Sequence, residues 1–162
     1  MIFVTVGTDI HSFSRLIDYV EKLKQMKIIK EKIIIQYGYT KIKRKIKGIT
    51  YIDFIPLKKF NYYLKNANFI ISHGGLGNLL QAIKFRKKVI AVPRLKKFNE
   101  HKNDHQLELV KQLAKEKKIL FANDLGSLIK CIKKIKNFEP GLHKKMINPL
   151  KIIETFIKSI EK

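Results

Sequence analysis

Short apolar runs rich in β-branched residues recur along the chain, each separated from the next by helical spacing. That alternation restricts the fold more than any other feature. Residues 2–6 read Ile-Phe-Val-Thr-Val and stop at Gly7; residues 32–37 read Lys-Ile-Ile-Ile-Gln-Tyr and stop at Gly38. Similar runs lie at 48–54, 68–72, 88–92 and 118–122. Each suits one buried strand and is too short for a globular helix. Between them, Phe13, Leu16, Ile17, Val20 and Leu23 fall on one helical face over 13–25, with Ser12 placed to cap it. Pro56 opens a short helix carrying Phe60, Tyr63 and Leu64. Helices are also predicted at 77–86, at 104–117 (stripe Leu107, Val110, Leu113, Ala114) and at 124–136. Apolar strands alternating with helices build a parallel sheet covered on both faces. The expectation is an α/β chain: a single Rossmann-like, doubly wound parallel sheet of about six strands. It occupies residues 1–140, and 141–162 form a C-terminal amphipathic helix. The apolar stripe of that helix, Ile147, Leu150, Ile153, Phe156, Ile157 and Ile160, either packs on its own sheet or docks on a partner or a membrane surface.

Composition narrows the function classes. The 162 residues suit one domain with a real core. Cys131 is the only cysteine, so no disulfide forms within the chain, and its mid-helix setting reads as core packing. No apolar run reaches the ~18 residues of a membrane span. The first residues lack a basic n-region and a cleavage site, so a cytoplasmic location is expected. The net charge is +22, from 35 Lys+Arg against 13 Asp+Glu, yet arginine stands only at 15, 44, 86 and 94. Nucleic-acid binders place arginine forks and aromatic platforms among their basic residues. Here Phe3, Phe54 and Phe69 sit in strand-like positions, which argues against nucleic acid. Compositional drift and an anionic membrane surface remain as readings of the charge.

Doubly wound sheets bind ligands at the carboxyl ends of their strands. Three segments there could carry chemistry. Thr5-Val6-Gly7-Thr8-Asp9 is either an anion-accepting turn or an ordinary strand-to-helix turn. Ser72-His73-Gly74-Gly75-Leu76-Gly77-Asn78 puts three glycines between a strand and a helix, so that free N–H groups can face a phosphate. It is neither a P-loop nor the dinucleotide fingerprint. His73, at the strand tip, is either a hydrogen-bonded structural group or a candidate catalytic one. Pro93-Arg94 and Glu100-His101-Lys102-Asn103-Asp104-His105-Gln106 form the third segment. Asn103 and Gln106 could make a capping box, and His101 and His105 could be neighbours on a solvated face. The same Gln, Asn and His side chains also suit sugar hydroxyls. A metal site lacks HExxH, Asp-x-Asp and further ligands, and no nucleophile elbow is present.

These segments, with Ile35-Gln36-Tyr37-Gly38 and Asp104-His105-Gln106-Leu107-Glu108-Leu109, together resemble the donor-binding C-terminal domain of family 28 glycosyltransferases. The resemblance runs from Val4 to about residue 135. It is greatest to small bacterial exopolysaccharide and capsule subunits of the PssE/EpsF type. The chain is similar more distantly to the catalytic subunit of the eukaryotic dolichol-linked N-acetylglucosaminyltransferase. The resemblance implies the C-terminal half of a GT-B enzyme that holds a UDP-sugar donor with no cofactor and no metal. It implies that Gly74, Gly75 and Gly77 cradle the diphosphate, with Gly7 and Thr8 opposite. The backbone near Phe54 and Ile55 would meet the uracil; His105 and Gln106 would meet sugar hydroxyls; Arg94, Glu100 and His101 would shape the donor loop. Gln81 stands where several relatives have an acid for the ribose, and Asn78 where many have Ser or Thr. Both are carried as substrate-binding candidates.

A GT-B enzyme needs two such domains. The resemblance therefore implies a membrane-anchored, acceptor-binding partner subunit that supplies the general base, and a polyprenyl-diphosphate-linked acceptor at the inner membrane face. A non-catalytic enhancer of a partner glycosyltransferase is the alternative, and a basic nucleic-acid-binding domain a more remote one.

Overall fold

The structure, a computed structural model, describes residues 1–141. Six strands form one fully parallel sheet: β1 (Ile2–Thr5), β2 (Ile33–Gln36), β3 (Ile49–Ile52), β4 (Phe69–His73), β5 (Val89–Val92) and β6 (Leu120–Phe121). Their order is β3-β2-β1-β4-β5-β6. Five helices follow the strands, except that β2 leads to β3 through a loop: α1 (Ser14–Gln25), α2 (Leu57–Asn66), α3 (Leu76–Lys84), α4 (His105–Lys115) and α5 (Leu125–Ile135). The doubly wound architecture read from the sequence is the one observed.

Successive residues of a strand point to opposite faces, and this divides the core in two. Ile2 and Val4 of β1 pack with Leu16, Ile17, Val20 and Leu23 of α1 and with Leu128, Cys131 and Ile135 of α5. Phe3 points the other way, into a cluster with Leu64 of α2, Leu79, Ala82 and Ile83 of α3, and Leu109, Val110 and Leu113 of α4. Its ring lies 5.3 Å from that of Phe60 and 5.4 Å from that of Tyr63. Cys131 is core, as its sequence setting indicated, with Sγ 3.2 Å from the Phe121 carbonyl oxygen.

Several local readings change. Ser12 is exposed and caps nothing; α1 begins after Phe13, whose N–H donates to Thr40 Oγ1 at 3.0 Å. The contact comes from the loop after β2, which local sequence does not show. The Asn103–Gln106 capping box is absent. Asp104 precedes α4, Asn103 Oδ1 accepts from the His105 N–H (3.3 Å), and Gln106 Oε1 is taken by the Arg94 N–H (3.2 Å). The buried stripe of α4 runs through Leu109, not Leu107. The third strand stops at Ile52, because Asp53 Oδ1 accepts the Phe54 N–H (2.7 Å) and turns the chain outward. Phe54 is thus exposed, edge-on to Tyr39 at 5.0 Å. The expected C-terminal helix lies outside the described residues. Among the described residues no helix is long and apolar enough to cross a membrane.

The one capping box in the described helices joins Asp124 and Ser127, with the Ser127 N–H donating to Asp124 Oδ1 at 2.7 Å. Asp124→Ala should lower unfolding stability by about 1 kcal/mol, the usual worth of an N-cap. Ser12→Ala should leave it unchanged. Urea denaturation of the two variants beside the parent checks both outcomes.

Candidate functional site

The connections from β1 and β4 leave in opposite directions, β1 toward β2 and β4 toward β5. Neighbouring strands that part in this way leave a crevice at their carboxyl ends. A cleft of about 560 Å³ opens there. Gly7, Thr8, Phe54, Ile55, His73, Gly75, Gly77, Asn78 and Gln81 line it, with Gln36, Leu57, Phe60 and Leu76. No lysine, arginine or carboxylate is among them.

One end of the cleft is the N-terminus of α3. The Leu79 N–H is the first to close a helical bond, to the Gly75 carbonyl at 3.1 Å, and no side chain caps the helix. The preceding N–H groups therefore face the opening, and a helix start with free donors favours an anion. A Cβ added at Gly77 would meet nothing within 4 Å, so this position borders open space.

His73 forms the floor. Its ring is wedged between Gly7 and Gly75: a Cβ on Gly7 would lie 2.6 Å from His73 Nε2, and one on Gly75 would also collide with it. Gly7 has φ +80, which already favours glycine. His73 Nδ1 is buried without a partner in hydrogen-bond geometry. Burial first, and then the nearby Arg94 charge, push the His73 pKa from 6.5 down to about 4, against the pull of the Thr5 backbone and Asp9. The ring is neutral near neutral pH and acts there as a dipole rather than a cation.

Polar side chains lock the strand ends beneath. Thr5 Oγ1 donates to Gln36 Oε1 at 2.6 Å, while Gln36 Nε2 donates to the carbonyls of Gly7 (3.1 Å) and Asp53 (3.0 Å). Asn78 Nδ2 reaches Thr5 Oγ1 at 3.4 Å, and Gln81 Nε2 donates to Asn61 Oδ1 at 3.1 Å. Gln36 was not among the predicted site residues. Its signal was a polar residue ending an otherwise apolar strand.

The remaining candidates are not among the residues that line the cleft. Gly74 is a packing glycine outside the cleft; a Cβ there would sit 2.9 Å from Gln106 Cβ and 3.0 Å from Val110 Cγ2. Arg94 is fully buried and Glu100 nearly so, and both brace loops rather than face the cleft. Arg94 donates to the carbonyls of Val6 (2.8 Å), His11 (2.6 Å) and Glu100 (3.0 Å). Glu100 receives the Arg15 guanidinium at 2.7 and 2.8 Å and the Leu95 N–H at 3.0 Å. His101 Nε2 stands 4.0 Å from Asp9 Oδ2, and His105 Nδ1 stands 3.6 Å from Glu108 Oε2. Among the described residues, no three His, Cys, Asp or Glu side chains are grouped so as to hold a metal ion.

A doubly wound sheet with an uncapped helix start and a glycine-flanked histidine at its switch point defines a Rossmann-like domain. It is of the kind found as the C-terminal half of GT-B glycosyltransferases. The model of the glycosyltransferase family 28 C-terminal domain matches residues 1–162, and the chain belongs to that family. No curated protein matches the sequence. Among solved structures, the chain is similar to the NMR structure of ALG13, with TM-score 0.63 and 16% identity, covering 99% of this chain and 96% of that one. It is similar to the UDP-GlcNAc 2-epimerase of Methanocaldococcus jannaschii in complex with UDP-GlcNAc and UDP (TM-score 0.64, 15% identity, 99% and 44% covered). It is also similar to the glycosyltransferase SsfS6 of Streptomyces sp. SF2575, complexed with thymidine diphosphate (TM-score 0.54, 12% identity, 98% and 37% covered). The chain thus spans less than half the length of the latter two.

The neutral state of His73 gives the fold a pH dependence of known sign. Above about pH 6.5 the ring is neutral folded and unfolded, and the fold loses nothing. As pH falls from 6.5 toward 4, the unfolded chain takes up a proton that the folded ring refuses, so stability declines. The gap between pKa 6.5 and about 4 corresponds to about 3 kcal/mol. The stability difference between the parent and His73→Asn should therefore shrink by about that amount from pH 7 to pH 4. Urea denaturation across that range measures it, and a constant difference would contradict the assignment.

Proposed function

We propose that the chain is the donor-binding subunit of a two-subunit, inverting, metal-independent UDP-sugar glycosyltransferase. It transfers a hexosyl or N-acetylhexosaminyl group to a polyprenyl-diphosphate-linked saccharide in extracellular polysaccharide biosynthesis. The observation that carries the reading is the cleft between the Gly7 turn and the open start of α3. Its N–H groups and the dipole of α3 suit a diphosphate, and Phe54, Ile55 and Phe60 offer apolar surface to a base. The epimerase, matched over 44% of its chain, is in complex with UDP-GlcNAc and UDP, and SsfS6, matched over 37%, is complexed with thymidine diphosphate.

A second domain across the cleft accounts for the apolar side chains left exposed at or beside the carboxyl end of the sheet. Ile10 is 75% exposed and Leu57 72%, with Phe54 and Phe98 about half exposed. Such a cluster suits a partner surface. The partner is a membrane-anchored subunit that binds the acceptor and keeps this chain at the inner face of the cell membrane. Departure of the UDP leaving group is assisted by the α3 N–H groups, where charge develops on the diphosphate. The positive surface suits an anionic membrane rather than nucleic acid, because arginine, the residue that forks onto base edges, stands at only four positions of the chain.

Gly77→Ala isolates the diphosphate contact. The new methyl meets no protein atom, and Ala is the better helix former by up to about 1 kcal/mol, so the fold should be undiminished. UDP affinity, read by calorimetry, should fall by about tenfold or more as the methyl enters the cleft. Undiminished UDP binding in Gly77→Ala would contradict this placement. Absence of UDP binding by the parent, alone and with its partner, would favour a non-catalytic enhancer instead.

A further inference from the structure

We infer that Gln36 is a positioning residue that sets the base end of the cleft in register with its diphosphate end. The inference rests on the donor-binding reading above and deepens it: the Gln36 side chain makes the site favour a nucleoside diphosphate over either of its parts.

Gln36 ends β2, paired with Thr5 of β1 on one side and Ile52 of β3 on the other. The residue is buried and borders the cleft. Its Nε2 donates to the Gly7 carbonyl at 3.1 Å and to the Asp53 carbonyl at 3.0 Å. The first carbonyl belongs to the turn that confines His73 against Gly75. The second immediately precedes Phe54 and Ile55, part of the apolar lining. One amide group thus ties the two ends of the cleft together.

Thr5 fixes the orientation of that amide. Its hydroxyl donates its one proton to Gln36 Oε1 at 2.6 Å, so the NH2 group points at the carbonyls. The same hydroxyl oxygen accepts from the Gly7 N–H at 3.3 Å and from Nδ2 of Asn78, in the first turn of α3, at 3.4 Å. The bonds run in one direction, from Asn78 through Thr5 and Gln36 to the end of β3. Gly38 tightens the set: its N–H donates to the Asp53 carbonyl at 3.0 Å, and a Cβ there would collide with the Gly7 carbonyl oxygen. Shifting either turn alone breaks a bond to Gln36. A carboxylate at this position would fail, because it accepts without donating and would face two carbonyl oxygens.

Both amide protons of Gln36 are engaged within the chain, so its effect on a ligand passes through the two turns. Holding both ends of a site in place beforehand favours a ligand that spans them, since the cost of aligning them is not taken from the binding free energy. A ligand that touches one end gains little from it.

Calorimetry of the full chain with UDP and with inorganic pyrophosphate separates the two ends. Gln36→Met keeps the length of the side chain and removes both donors. It should lower UDP affinity by about tenfold or more, and pyrophosphate affinity by less than about threefold. A merely structural role would lower both in parallel. By NMR, pyrophosphate should shift the amide signals of Phe54 and Ile55 in the parent and leave them in place in Gln36→Met. Thr5→Val breaks the same chain of bonds one link earlier and should repeat the selective loss, which keeps the test open if Gln36→Met does not fold. Tyr51→Phe on β3 loses a different buried bond, to Glu21 Oε1 at 2.8 Å. It should leave both affinities within about twofold of the parent. Undiminished UDP affinity in Gln36→Met, parallel loss of both ligands, or Phe54 and Ile55 signals that respond alike in parent and variant overturns the inference alone. A parent that binds neither UDP nor pyrophosphate overturns the donor-binding reading and the inference with it.

Discussion

The buried guanidinium of Arg94 is the interaction on which the upper end of this domain depends. It sits at the carboxyl end of β5 with no solvent exposure, its carbon centre 4.9 Å from the Phe13 ring centroid. Its two terminal nitrogens reach carbonyls of three separate loop positions, Val6, His11 and Glu100. Burial works against the charge and lowers the Arg94 pKa, and the Asp9 and Glu100 carboxylates oppose that effect. Arg15 adds a second fork, joining Glu100 to the carbonyls of Pro93 and Asn123. Lysine could not replace either residue, because an ammonium lacks the planar fork that reaches several acceptors at once. Removing one member of such a buried set leaves the others desolvated and unpaired, at a cost of about 3–5 kcal/mol.

This clamp explains how three loops without regular structure present fixed surfaces. The Gly7 turn is held from below by Gln36 and from the side by Arg94. His73 is then confined between Gly7 and Gly75, and the Arg94 charge helps to keep its ring neutral. One buried cation thus holds the backbone path of the site and adds to the burial that keeps its floor neutral. The Asp9 carboxylate lies at the edge of the same field, and its lowered pKa owes part of its cause to Arg94.

What could be read in advance followed from periodicity and from glycine. The strands were legible because burial on both faces leaves short unbroken apolar runs, and the core stripe of α1 because burial on one face leaves a period of 3.6. Gly75 and Gly77 were legible because glycines clustered between a strand and a helix have few other uses, and Gly7 because it ends the first apolar run. Gly74 looked the same in the sequence, yet it makes room for Gln106 and Val110, a contact set by the packing of α4 on the loop. Arg94 and Glu100 were singled out from their neighbourhood, but their bracing role depends on partners as far away as Val6 and Arg15. The tie made by Gln36 went unseen because its partners Thr5, Gly7 and Asp53 stand 31, 29 and 17 positions away, and only the paired strands bring them together. The caps failed for a related reason: Phe13 is held by Thr40, 27 positions away.

The charge of the chain takes on a narrower meaning against this structure. A net +22 suggests a site built from cations, yet the cleft is lined by no lysine or arginine. Two of the four arginines are spent on the internal clamp, and Arg44 pairs with the buried Glu21. The basic stretch Lys41, Lys43, Arg44, Lys45 and Lys47 lies exposed on the loop before β3. Charges so placed are screened over about 8 Å at physiological salt, so they act on the approach of an anion more than on its final contacts. A diphosphate in the cleft would be held by N–H groups, a helix end and neutral side chains. Those contacts are short-ranged, and desolvation strengthens them rather than salt weakening them. The lysines bear on how an anionic ligand or surface is reached; glycine and backbone bear on how it is held.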